Sequence, residues 1–172
     1  IPKMLRTGST FLRTYLSQSN GNAVFGGEYA GHYVFNDGRG LCYDDGIYAA
    51  LRIIEYFEQS EAKTISELLK NYPKTASTED LYIQVDGIDI QTLITDFEQA
   101  SKSLEVECHK IDGIRLDFED GFGIIRASNT GEYLTVRFDA INKVRLDQIR
   151  ETFALMLREK YPKIAQNILD SR

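Results

Sequence analysis

Apolar residues recur at two different spacings along this chain. Over residues 1–72 the spacing is mostly helical. Phe11, Leu12, Tyr15 and Leu16 share one face of a helix predicted over 9–19, which the Asn20-Gly21-Asn22 turn closes. Residues 23–35 hold two short apolar runs around a polar centre, Gly26 to His32. Ile47, Ala50, Leu51, Ile54 and Phe57 mark the clearest helix, and Asp44-Asp45-Gly46 suits its positive N-terminal end. Thr64-Ile65-Ser66-Glu67 carries a capping-box pattern before Leu68-Leu69, which predicts a short helix stopped before Pro73.

A polar stretch, 73–80, reads as a linker or hinge, and the pattern changes after it. The order becomes strand 81–85, helix 89–101, strands 104–109, 113–118, 122–126 and 132–139, then a long helix over 143–160. That helix lines Leu146, Ile149, Phe153, Met156 and Leu157 on one face. Glu119-Asp120-Gly121 makes a tight turn, and connections this short pair strands antiparallel. The expected fold class is α+β. Residues 1–72 form an incomplete α/β part, and residues 81–172 form a C-terminal domain with an antiparallel sheet packed by two helices. The first part offers too little sheet to cover the apolar face of 47–57, so exposed apolar surface and self-association are expected. Ile1 opens the chain and Met4 follows too late for a convincing start. The chain is therefore expected to be the C-terminal part of a longer polypeptide.

Charge narrows the partners. Twenty Lys and Arg against 26 Asp and Glu leave a net charge of −6, which argues against nucleic acid. No apolar run approaches the length of a membrane span, and no leader is visible. Cys42 and Cys108 are isolated, which suits reduced thiols in a cytoplasmic protein, each a small buried hydrophobe. No metal-ligand spacing is present.

Two loops carry candidate chemistry. Arg126-Ala127-Ser128-Asn129-Thr130-Gly131 lies between two strand-like runs. It offers one guanidinium, two hydroxyls, one amide and several backbone N–H groups, an inventory that suits a phosphate. The same residue types also build plain turns. Gly26-Gly27-Glu28-Tyr29-Ala30-Gly31-His32 places a carboxylate and an imidazole four residues apart among glycines. A carboxylate can accept from vicinal sugar hydroxyls, and His can donate to phosphate or move a proton. Read alone, Glu28 is a solvated loop residue and His32 an ordinary strand residue.

Together these segments resemble the α-D-phosphohexomutase family, specifically its phosphomannomutase/phosphoglucomutase branch. That branch carries a G-E-x-S-G-H sugar loop, a D-D-G-I helix start and, near the end, an R-x-S-N-T phosphate loop. Here they read Gly27 to His32, Asp44-Asp45-Gly46-Ile47, and Arg126 to Thr130. Arg6-Thr7-Gly8-Ser9-Thr10 is similar to the family's K-T-G-H-S segment, and Arg115-Leu116-Asp117 fits the hairpin before the phosphate loop. Asn129 favours the mannose/glucose branch over phosphoglucosamine mutases, which read S-G-T-E there. Ala30 replaces a family serine, and Ser9 stands where a histidine is usual.

The resemblance implies an enzyme that interconverts hexose 1-phosphate and hexose 6-phosphate through a phosphoserine, a bisphosphorylated intermediate and Mg²⁺, with a glucose 1,6-bisphosphate-type activator. Arg126, Ser128, Asn129 and Thr130 would hold the non-reacting phosphate. Glu28, His32, Thr7 and Gly8 would bind the sugar, and His32 could transfer a proton. The family's T-A-S-H-N-P and D-G-D-G-D motifs are absent from these 172 residues. The resemblance places the chain at the end of the third domain plus the fourth, inactive without the N-terminal domains of the same polypeptide. A hexosamine phosphate mutase and a non-catalytic sugar-phosphate-binding module remain as alternatives.

Overall fold

Leu12, Leu16 and Val34 form one small apolar cluster, and a far larger one lies beyond residue 80. The computed structural model describes residues 1–128 and 131–170. The chain divides into two units, residues 1–72 and 73–172.

In the first unit, helix α1 (Ser9–Gln18) buries Leu12 and Leu16. Against it lies a hairpin of β1 (Phe25–Gly27) and β2 (Tyr33–Phe35), paired Phe25 to Phe35 and Gly27 to Tyr33. Gly26 permits the approach, since a Cβ there would stand 3.0 Å from Leu12 Cδ2. Helix α2 (Gly46–Gln59) follows, with the Asp45 carboxylate accepting from the N–H groups of Ile47 and Tyr48. Its buried contact is Ala49, whereas Ile47, Leu51 and Ile54 are 78%, 58% and 56% exposed. Helix α3 (Ile65–Leu68) starts at Thr64, whose hydroxyl accepts from Glu67 N–H, while Glu67 accepts from Lys63 N–H at 2.7 Å. It runs into a 3-10 turn, Leu69–Asn71.

The second unit is built on a six-stranded antiparallel sheet. Its strands are β3 (Ala76–Ser77), β4 (Leu81–Gln84), β5 (Glu107–His109), β6 (Ile114–Phe118), β7 (Gly121–Ala127) and β8 (Tyr133–Ala140). The order is β3-β8-β7-β6-β5, with β4 also paired to β8. Alternation aims Ile114, Leu116, Ile125, Leu134, Val136 and Phe138 at one face, where all are buried. Helices α4 (Ile90–Ser101) and α5 (Lys143–Arg158) cover that face. Phe153 sits at its centre, with ring centroids 4.8 Å from Phe97 and 5.0 Å from Phe138. A Cβ on Gly123 would meet the Phe153 ring at 2.5 Å, so glycine is what lets the ring lie on the sheet.

Three sequence expectations change here. A third helix, α6 (Pro162–Asp170), packs Ile164, Ala165 and Ile168 into the core. Arg150 secures its last turn by donating to the carbonyls of Ile168 and Leu169 at 2.6 and 3.0 Å. The polar stretch 73–80 contributes strand β3, and buried Thr78 accepts from Phe138 N–H through its hydroxyl at 3.1 Å. Cys108 is exposed, whereas Cys42 is half-buried and packs at the edge of the Leu12, Leu16 and Val34 cluster. No helix among the described residues is long and apolar enough to cross a membrane.

Candidate functional site

The loop 27–33 is closed by its own backbone. Glu28 N–H donates to the His32 carbonyl and Gly31 N–H to the Glu28 carbonyl, both at 3.0 Å. Gly31 has φ +87°, a conformation that glycine adopts without strain. The turn sets the side chains of Glu28 and His32 beside each other, with Glu28 Oε1 3.7 Å from His32 Nε2. Glu28 is the less exposed, at 17% of its side chain against 44% for His32. Its Oε2 accepts from Gly8 N–H at 2.8 Å. Gly8 has φ +128°. The Arg6–Thr10 segment and the Glu28 loop, distant in sequence, therefore meet at one carboxylate.

Asp44 is the residue that sequence reasoning missed. Asp44 and Asp45 both read as helix-start residues, but the structure separates them. Asp45 caps α2, while Asp44 hydrogen-bonds His32 Nδ1 through Oδ2 and accepts from Tyr33 N–H at 3.3 Å through Oδ1. The β-bridge between Val34 and Asp44 aims it there. The preceding loop is fastened to α2. Tyr48 OH donates to Asp37 at 2.9 Å, and Arg39 Nη1 donates to both Glu55 oxygens at 2.9 Å. The Arg39 bonds hold the Glu55 carboxyl below the usual carboxylate range. Ala30 and Tyr29 lie exposed at the loop tip.

In the second unit Arg126 stands on β7 opposite Thr135. Its neighbour Ile125 points into the core, so Arg126 faces the other way. Ser128 N–H donates to the Tyr133 carbonyl at 2.9 Å and closes the β7–β8 hairpin. Asn129 and Thr130 lie outside the described residues. Arg115 and Arg137 share the outward face. Arg115 is forked onto Asp117 at 2.6–3.0 Å and lies 3.6 Å from the Phe122 ring centroid. Arg137 pairs with Asp80 at 3.5 Å. Arg126 Nη1 stands 4.0 Å from Asp112 Oδ2, beyond hydrogen-bond length. Of the three guanidiniums, that of Arg126 stands farthest from its ion-pair partner.

Among the described residues no three His, Cys, Asp or Glu side chains come together as a metal-binding set. The described residues therefore offer no set that fits a Mg²⁺ ion.

Comparison with known proteins identifies the family. Residues 2–76 match the family model "Phosphoglucomutase/phosphomannomutase, alpha/beta/alpha domain III". Residues 81–156 match "Phosphoglucomutase/phosphomannomutase, C-terminal domain". A phosphomannomutase/phosphoglucomutase of Pseudomonas syringae pv. tomato is 31% identical over 163 residues, covering 95% of this chain and 34% of that protein. A phosphoglucomutase of Neisseria gonorrhoeae is 33% identical over 156 residues, covering 90% of this chain and 33% of that protein. The crystal structure of a phosphoglucomutase/phosphomannomutase family protein from Burkholderia thailandensis superposes with a TM-score of 0.79 at 29% identity, over 99% of this chain and 34% of that one. The chain thus spans about a third of the length of the relatives it matches. With both family models matched in order, it belongs to the phosphoglucomutase/phosphomannomutase family and corresponds to that family's domain III and C-terminal domain.

Proposed function

We propose that this chain is the sugar- and phosphate-reading portion of a phosphohexomutase that interconverts the 1- and 6-phosphates of mannose and glucose. The observation that carries the reading is the meeting of Gly8, Glu28 and His32. A carboxylate already oriented by one backbone N–H and set beside an imidazole is a reader of sugar hydroxyls. Arg126 supplies the second element, a guanidinium for a phosphate that does not react. Ser128, Asn129 and Thr130 complete that grip in this reading, and Thr7 joins Gly8 at the sugar.

Two separate readers suit a substrate that must bind in two orientations. The hydroxyls are read by one loop and the distal phosphate by the other, whichever end of the sugar reacts. Phosphoryl transfer depends mainly on such positioning and on charge stabilisation. The phosphoserine, the Mg²⁺ site and the preceding domains belong to the longer polypeptide in this reading. A glucose 1,6-bisphosphate-type molecule is both its intermediate and its activator.

Calorimetric titration of this chain with glucose 1,6-bisphosphate tests the proposal. Saturable binding that Arg126→Ala weakens about 10- to 150-fold is expected. Affinity unchanged in Arg126→Ala overturns the phosphate assignment. The same titration with glucosamine and N-acetylglucosamine phosphates separates the mannose/glucose reading from a hexosamine mutase, since preference for the amino sugar would overturn the former.

A further inference from the structure

We propose that Asp44 is a positioning residue that fixes the tautomer of His32, so that Nε2 presents a lone pair to the sugar. The hydrogen bonding leads there directly. A carboxylate only accepts hydrogen bonds, and a neutral imidazole has one donor and one acceptor nitrogen. His32 Nδ1 is hydrogen-bonded to Asp44 Oδ2, so in the neutral ring Nδ1 must carry the hydrogen. Placing the hydrogen on Nε2 instead would set the Nδ1 lone pair against a carboxylate oxygen. Nε2 is therefore left as an acceptor.

Asp44 is well held for this task. Its Oδ1 accepts from Tyr33 N–H, and its backbone bridges to Val34, which is fully buried. The next residue, Asp45, is locked onto the start of α2 by two backbone bonds. Rotating the Asp44 carboxylate away would break its bonds to His32 Nδ1 and Tyr33 N–H together. The ring is thus oriented by its carboxylate partner, the same logic by which a carboxylate sets a catalytic histidine in hydrolases.

The consequence is a pair of acceptors. Nε2 and Glu28 Oε1 lie side by side at 3.7 Å, too far apart to bond each other. Glu28 Oε2 already accepts from Gly8 N–H. One hydroxyl cannot donate to both Glu28 Oε1 and His32 Nε2, because it carries one hydrogen. Two hydroxyls on adjacent carbons can donate to one each. The geometry thus selects a vicinal diol, with His32 as the second reader beside Glu28. This deepens the function proposed above and rests on it for the identity of the ligand, but the tautomer itself does not.

The test is ¹⁵N NMR of this chain labelled at histidine, recorded at a pH where the ring is neutral. The chain has two histidines, and a His109→Asn variant assigns the signals of His32. Protonated Nδ1 and bare Nε2 are expected, with Asp44→Asn shifting the ring toward the Nε2–H form. A wild-type ring with Nε2 protonated overturns the proposal without any variant. In the full-length polypeptide, Asp44→Asn is expected to lower kcat about 10- to 100-fold, as for other partners that orient a functional histidine, and by a larger factor than it raises KM. A kcat within twofold of wild type also overturns it. An Nδ1-protonated ring in a full-length polypeptide that binds no sugar phosphate would leave the positioning intact and sink the phosphohexomutase reading instead.

Discussion

Gly113 and Arg126 touch backbone to backbone. A Cβ added to Gly113 would lie 2.7 Å from the Arg126 Cα and 2.5 Å from its Cβ, and would also strike the Ile125 carbonyl oxygen. Gly113 also has φ +80°. The 110–113 turn thus presses on the strand position that bears the guanidinium, and its Asp112 faces the same arginine. Gly113→Ala is expected to cost about 2–4 kcal/mol, combining left-handed backbone strain with overpacking against rigid backbone. Gly87→Ala is the control, because Gly87 has φ +73° but nothing within 4 Å, which leaves only the strain, about 1–2 kcal/mol. Urea unfolding of both variants measures the difference. Equal losses would show that the contact with Arg126 carries no energy.

Removing the guanidinium should act on binding and hardly at all on the fold. Arg126 lies on the face of β7 turned away from the core, and its ion-pair partner is at 4.0 Å. Arg126→Ala is expected to weaken phosphosugar affinity by about 1.5–3 kcal/mol, the range for a hydrogen bond to a charged group. Arg126→Lys keeps the charge but loses the two-pronged geometry and should recover only part of that. Isothermal titration of the three proteins decides it, and full recovery by lysine would mean that charge alone matters.

Much of this architecture was legible because apolar periodicity marked it. Helices α2 and α5 and strands β6 to β8 lie where the pattern put them, and the capping signals at Thr64 and Asp45 operate as read. What was illegible depends on contacts distant in sequence. Ala76, Ser77 and Thr78 look like linker residues until β8 pairs with them and hides Thr78. Helix α6 is short, and its last turn is secured by Arg150, 18 residues upstream of Ile168. Asp44 was hidden in another way. Two adjacent aspartates before a helix satisfy one local rule, and only the hairpin brings His32, twelve residues earlier, to the first of them. The weak tie between Asp112 and Arg126 was equally invisible, because Asp112-Gly113 reads as nothing more than a turn.

The joint between α5 and α6 should give the second unit a defined alkaline limit. Tyr161 OH donates to Asp96 at 2.6 Å, and Lys160 Nζ reaches the other Asp96 oxygen at 2.7 Å. The bond to Asp96, aided by burial, pushes the Tyr161 hydroxyl up from 10.0 to about 12. A raised folded-state value means that its contribution is complete below pH 10 and lost as pH rises toward 12. Asp96 behaves oppositely. Lys160 and Tyr161 lower its pKa, so its contribution holds above the ordinary aspartate range and is lost as pH falls through the lowered value. Thermal unfolding across pH is expected to show the alkaline decline in wild type and a shallower one in Tyr161→Phe. Identical profiles would show that this hydrogen bond does not couple to folding.

The loop tip offers a gain-of-affinity test. Ala30 occupies the family's serine position and is exposed. Ala30→Ser meets no packing constraint there and should leave stability within about 0.5 kcal/mol. If Glu28 and His32 read a sugar, an added hydroxyl beside them should tighten phosphosugar binding by about 0.5–1.5 kcal/mol, one ordinary hydrogen bond. Unchanged affinity would place the ligand away from the loop tip.

Helix α2 presents the last test. Ile47, Leu51 and Ile54 follow one another at helical spacing and stay 78%, 58% and 56% exposed, while the same helix buries only Ala49. A contiguous apolar stripe of this kind is normally covered. At high concentration copies of this chain are therefore expected to associate through it. Leu51→Glu with Ile54→Glu places two charges on the stripe without touching Ala49, the Asp45 cap or the bonds of Glu55. Sedimentation velocity over a hundredfold concentration range should show association in the wild type and its loss in the double variant. A wild-type chain that stays monomeric throughout would mean that the stripe is too narrow to hold two copies together, and an associating double variant would place the contact on another surface.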